Sequence, residues 1–125
     1  MTSVYLLRFI ILAEFYDLFM NYAEKIKLDD IVVSLVNKAP PHSETTIRKN
    51  IVYLTNSEYL NFEKVGNKKH LGITYKGIKL IEVITNGELD FKIPDEDSED
   101  GKKLLDEIKY QFYAYDPSAY PTVPP

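Results

Sequence analysis

The sequence contains no cysteine, which excludes a disulfide framework and any thiolate metal site. It has only two histidines, His42 and His70, and neither a glycine-rich phosphate loop nor a nucleophile elbow. The common arrangements for metal-assisted, nucleophilic or phosphoryl-transfer catalysis are therefore missing. The expectation is a protein that is not an enzyme and carries no cofactor or metal. A long uncharged apolar run is lacking as well. The segment "SVYLLRFIILAEFYDLFMNYAEKIK" is interrupted by Arg8, Glu14 and Asp17, short of the roughly 18–20 residues a membrane span needs. It also lacks the leading positive charge and small-residue cleavage site of a secretory signal. These absences lead to the expectation of an intracellular protein without membrane association, cytoplasmic, and nucleoid-associated in a prokaryotic or viral setting.

What is present is one domain's worth of chain, 125 residues with 45% hydrophobic content. Its charge is divided unevenly. Between Lys38 and Lys79 there are eight bases against three acids, whereas from Gly87 onward there are four bases against ten acids. The total of −4 thus conceals a basic middle, and polyanion binding depends on local potential rather than on the total.

Periodicity predicts a first helix over residues 3–27 that is apolar around most of its circumference. Such a helix needs covering on several sides. In a small domain the surplus of Phe9, Ile10, Leu12, Phe15, Tyr16, Phe19 and Met20 reads as a subunit interface, hence a homodimer. A second helix, "LDDIVVSLVNK", carries Leu28, Ile31, Val32 and Leu35 at helical spacing and ends at the two prolines of "APPH". Ser43 is placed to cap a third helix whose stripe is Ile47, Ile51 and Leu54. Thr45, Thr46, Arg48, Lys49, Val52 and Tyr53 then form its outward face, a mixture able to contact phosphates and base edges. Two strand-like segments, "YLNFEKV" and "HLGIT", follow across the connection "GNKK", and a fourth helix opens at Thr74 and stops near Gly87.

The series "SETTIRKNIVYLTNSEYLNFEKVGNKKHLGITYKGIKLI" resembles the core of a winged helix-turn-helix domain of the kind found in MarR-type and PadR-type transcription regulators. The resemblance rests on Ser43 and Thr46 opening the third helix, on its buried stripe, on "SEYLNF" leading into the first wing strand, and on "ITYKGIKLI" closing the wing. It covers about residues 28 to 86. The connection "NKAPPHS" is longer and richer in proline than in those families, and the wing holds lysine where theirs often hold arginine.

The resemblance implies a mainly helical α+β fold with a small β-hairpin wing and additional N- and C-terminal helices. The single domain would span 1–112, with its core at 28–86, terminal helices at 3–27 and 98–112, and a Tyr/Pro-rich tail at 113–125. It implies sequence-specific binding of double-stranded DNA by a dimeric regulator. The third helix would contribute Ser43, Thr45, Thr46, Arg48, Lys49 and Tyr53, and the hairpin tip Asn67, Lys68, Lys69 and His70. Dimerisation would use Phe9, Leu12, Phe15, Tyr16 and Phe19 together with Leu105, Ile108 and Phe112, since MarR-type proteins pair through terminal helices. The alternative from another class is a winged helix that binds proteins, as an interaction module or adaptor in a nucleic-acid-processing assembly.

The acidic stretch "IPDEDSEDGKKLL" partly matches a calcium loop from Glu96. Glu96 in the first position and Lys103 in the eighth spoil the match. Ser98 as the cap of a last helix, with Glu99 and Asp100 in the first turn, is the better reading. The final "YDPSAYPTVPP" is too rich in proline for regular structure and reads as a disordered end or a segment that docks a protein partner.

Overall fold

The computed structural model describes residues 4–21, 25–38, 42–85 and 97–115, with side chains to 111 in the last stretch. Five helices and three strands occur among them, in the order α1 (Val4–Met20), β1 (Ile26–Lys27), α2 (Leu28–Lys38), α3 (Glu44–Asn56), β2 (Leu60–Val65), β3 (Lys68–Ile73), α4 (Tyr75–Thr85) and α5 (Glu99–Tyr115). The architecture is mainly helical with a small antiparallel sheet in the order β1-β3-β2.

Helix α1 is the hub. Leu7, Ile11 and Leu12 are fully buried, and Phe9, Phe15 and Tyr16 nearly so. α3, α4, α5 and β3 all pack against it. Its apolar circumference is therefore covered by its own chain. This corrects the expectation that Phe9, Leu12, Phe15 and Tyr16 form a subunit interface, and the same holds for Ile108 of α5, which is fully buried. Along residues 6–16 a helix with four packing partners has no free apolar side to offer a second copy, whereas Phe19 and Met20 at its end stay exposed. Of the remaining interface candidates, Phe19 is exposed, Leu105 is half-buried against the core, and the side chain of Phe112 lies outside the described residues.

The first helix also ends earlier than its hydropathy suggests. The Asn21 backbone N–H donates to the carbonyls of Asp17 and Leu18, and its side-chain amide donates to Asp17 O, which satisfies the last turn. Ile26 and Lys27 then pair with Leu71 and His70 as the third strand of the sheet, where a helix was expected. Two residues are too few to show any periodicity, so only the partner strand defines β1.

The other boundaries follow local chemistry. Asp29 and Asp30 occupy the first turn of α2 and Lys38 its last, matching the helix dipole. The Ser43 hydroxyl accepts the Thr46 N–H at 3.2 Å as the N-cap of α3, and Ile47, Ile51 and Leu54 turn inward. Ser98 caps α5 in the same way, accepting the Gly101 N–H at 3.0 Å. Gly66, at φ +64°, and Asn67 connect β2 to β3, with the positive φ at the first central position that a II′ hairpin turn requires.

The Thr-x-x-Gly pattern at 74–77 is a tertiary joint. The Thr74 hydroxyl lies 2.6 Å from Glu58 O and 3.0 Å from Tyr59 O, either of which it can donate to, and it accepts the Gly77 N–H at 3.1 Å. A Cβ at position 77 would stand 2.4 Å from Tyr59 O and 2.7 Å from Ile73 Cγ1. Glycine is needed there so that α4 can approach the end of the α3–β2 turn.

Candidate functional site

Three bases of the basic middle, Arg48, Lys68 and Lys69, gather where β1, the α2 N-terminus, α3 and the hairpin meet. Lys27 of β1, Arg48 of α3 and Asn67, Lys68 and Lys69 of the hairpin line one cleft with the α2 N-terminus, including Asp29 and Asp30. Four cations stand there against two carboxylates. The hairpin tip and α3, far apart in sequence, thus lie on one side of the molecule.

Within the cleft Arg48 is held rather than loose. Its Nη2 donates to Asp29 Oδ1 at 2.9 Å and its Nε donates to Glu44 Oε1 at 2.9 Å. The Arg48 hydrogen bond, opposed by desolvation and aided by the Coulombic pull of Arg48 and Lys68, lowers the Asp29 pKa from the usual carboxylate value. The two carboxylates in turn raise the Arg48 pKa. Arg48 is therefore oriented toward α2, and its charge is partly offset before any ligand arrives.

On α3, Thr45, Lys49, Val52 and Asn56 are exposed. Their spacing forms one stripe on the solvent side. Thr46 is only half-exposed and its hydroxyl lies 3.1 Å from that of Ser43, so both hydroxyls are engaged in the cap. Tyr53 departs from the outward face assigned to it. Its ring lies 3.5 Å from the Arg8 guanidinium carbon and packs on the α1 side of the helix. The cause is Arg8, a cation 4% exposed, whose Nε donates to Asn50 Oδ1 at 2.9 Å. Burial lowers the Arg8 pKa from its usual value, while Tyr53 and Tyr5 act in the opposite direction. Asn50 and Tyr53 thus face inward because α1 delivers a guanidinium between them.

The hairpin register determines which side chains share a face. Phe62 stands opposite Leu71, and Lys64 stands directly opposite Lys69, so the two lysines share the face of the half-exposed Phe62 and the buried Leu71. Like charges in this position repel, and an anion between them would relieve the repulsion. On the other face Glu63 stands opposite His70, and Lys25 reaches Glu63 at 3.5 Å. His70 Nδ1 lies 3.4 Å from Lys68 O. Lys68 and Lys69 are exposed, as is Asn67 at the turn.

Sequence reasoning missed Lys27 and Lys64. Lys64 could have been found by counting antiparallel pairs outward from Gly66–Asn67, whereas Lys27 is placed only by the pairing of β1 with β3. Among the described residues no three histidine, cysteine or carboxylate side chains group as metal ligands, and no helix is long and apolar enough to cross a membrane. In comparisons with family models, curated proteins and solved structures, nothing matches this chain.

Proposed function

We propose that this chain is a winged helix-turn-helix protein of the MarR/PadR kind that binds double-stranded DNA in a sequence-specific way and acts as a transcription regulator. The observation that carries the reading is the convergence of the exposed α3 stripe and the lysine-tipped hairpin on one side, around the cleft shared by Lys27, Arg48, Lys68 and Lys69. The order of helices and strands, with a sheet ordered β1-β3-β2 beside α3, supports the same reading. In this scheme α3 enters the major groove, with Thr45 and Lys49 reaching base edges. Lys64, Lys68 and Lys69 neutralise phosphates along the neighbouring backbone, contributing affinity without sequence information. Arg48, held by Asp29 and Glu44, positions the α2–α3 corner and contributes less to base reading than Lys49.

The proposed regulator acts as a dimer, on narrower ground than the sequence implied. The exposed apolar side chains of the terminal helices are, among the described residues, Phe19 and Met20 at the end of α1 and Tyr110 on α5. A two-fold pairing through them would place recognition helices about 34 Å apart on an inverted repeat. Selection of bound sequences from a random duplex pool at low salt tests the function. Enrichment of one motif is the expected result, and a pool that stays random removes the reading.

A further inference from the structure

The sheet order leaves β2 at an edge, paired on one side with β3 and on the other with no described strand. An edge strand presents the N–H and C=O groups of every second residue outward. Two hollows flank this one. The first, between α3 and the hairpin, is lined by Ile51, Val52, Thr55, Phe62 and Leu71 and rimmed by Lys69. The second runs beside Leu60, Asn61 and Phe62 to Tyr75 of α4, with Lys76 and Glu58 at its margin. Phe62 and Thr55 belong to both, so Phe62 is the wall between two adjoining apolar recesses. Phe62 is half exposed and Tyr75 is 73% exposed, large apolar surfaces that the described residues leave uncovered.

We propose that the β2 edge is a docking site for an extended acidic and apolar peptide segment of a partner protein, which adds to the sheet as a fourth strand. Successive side chains of a strand alternate between faces, so apolar residues two apart can enter the recesses on either side of Phe62. Acidic residues that flank the apolar pair on this same face meet Lys64 and Lys69, which share the face of Phe62, and Lys76 beside the second recess, against Glu58 as the one carboxylate lining the recesses among the described residues. The edge offers carbonyl acceptors as well as N–H donors. That pattern matches a peptide backbone, which has both, and not a phosphate backbone, which has no donors. The site shares Lys64 and Lys69 with the proposed DNA face, and it rests on the strand edge and the two recesses, not on that reading.

The test uses the full chain and a fluorescein-labelled peptide with leucine and phenylalanine two residues apart, aspartate or glutamate two residues beyond each on the same face, and threonine at the positions between. A control peptide carries the same side chains with alternate amides N-methylated, which keeps the charge and removes the ladder donors. The expected result is saturable binding by anisotropy, with amide shifts along Leu60–Val65 and at the start of α4. Phe62→Ala and Tyr75→Ala, folded by circular dichroism, should each weaken binding about tenfold or more. The N-methylated control should fail to bind, and a Lys49→Ala variant, weakened on its preferred DNA site, should keep the peptide. Equal binding of both peptides, shifts away from β2, or no binding would overturn the proposal. So would perturbation of the β2 edge by duplex or single-stranded oligonucleotides in place of the peptide, which would assign that surface to nucleic acid.

Discussion

At the scale of single residues, Gly77, Arg8 and Asp29 each carry a measurable consequence. Gly77→Ala forces its Cβ against Tyr59 O and Ile73, both in packed backbone or core, and should cost about 1–3 kcal/mol in urea unfolding. Thr74→Ala removes the N-cap of α4 and the donor to the Glu58 and Tyr59 carbonyls together, so a loss of about 1–2 kcal/mol is expected. Arg8→Lys retains the charge yet loses the planar stack on Tyr53 and the bond from Nε to Asn50, and should destabilise by about 1–3 kcal/mol. The Asp29 carboxyl has its folded pKa lowered by Arg48. Its contribution to stability is therefore complete above the unfolded carboxylate pKa and is lost as pH falls through the folded value. Carbon-detected NMR should place the Asp29 midpoint below that of an ordinary aspartate, and Arg48→Ala should move it back up.

At the scale of elements, the hairpin and α3 divide affinity from discrimination. Lys68→Ala with Lys69→Ala should weaken preferred and random DNA alike and reduce the log–log salt slope by about 0.9 for each phosphate that is no longer neutralised. Lys49→Ala should cost ~1–3 kcal/mol on the preferred site and much less on random DNA. Lys64 offers a sharper contrast, since it faces Lys69 directly. Lys64→Glu exchanges cross-strand repulsion for attraction and should stabilise the free protein by about 0.2–1 kcal/mol while weakening DNA binding. A variant more stable and equally tight on DNA would remove Lys64 from the proposed interface.

At the scale of the whole molecule, burial separates two kinds of mutation that the sequence treats as equivalent. Phe15 is 2% exposed and Phe19 is 37% exposed on the same helix. Phe15→Glu buries an unpaired carboxylate among the core side chains and should unfold the chain. Phe19→Glu lies near the surface and should leave the fold intact. If two copies meet at the ends of α1 and α5, light scattering of Phe19→Glu will give a monomer mass where the parent gives a dimer. A monomeric parent at micromolar concentration would remove the dimer.

The features legible in the residues alone are those that local chemistry controls. The caps at Ser43, Thr74 and Ser98, the stop before Pro40 and Pro41, the inward stripe of α3 and the Gly66–Asn67 turn all depend on residues within a few positions of one another. The gathering of bases in the middle of the chain was legible for the same reason. Tertiary structure alone decided what α1 touches, because an apolar circumference shows that a helix must be covered and not by which chain. It decided that residues 26 and 27 form a strand, through pairing with Leu71 and His70 more than forty positions away. Tyr53 turns inward because Arg8 arrives from another helix. Each of these depends on a partner distant in the chain or across the sheet, and a partner of that kind leaves no periodicity at the residue it positions.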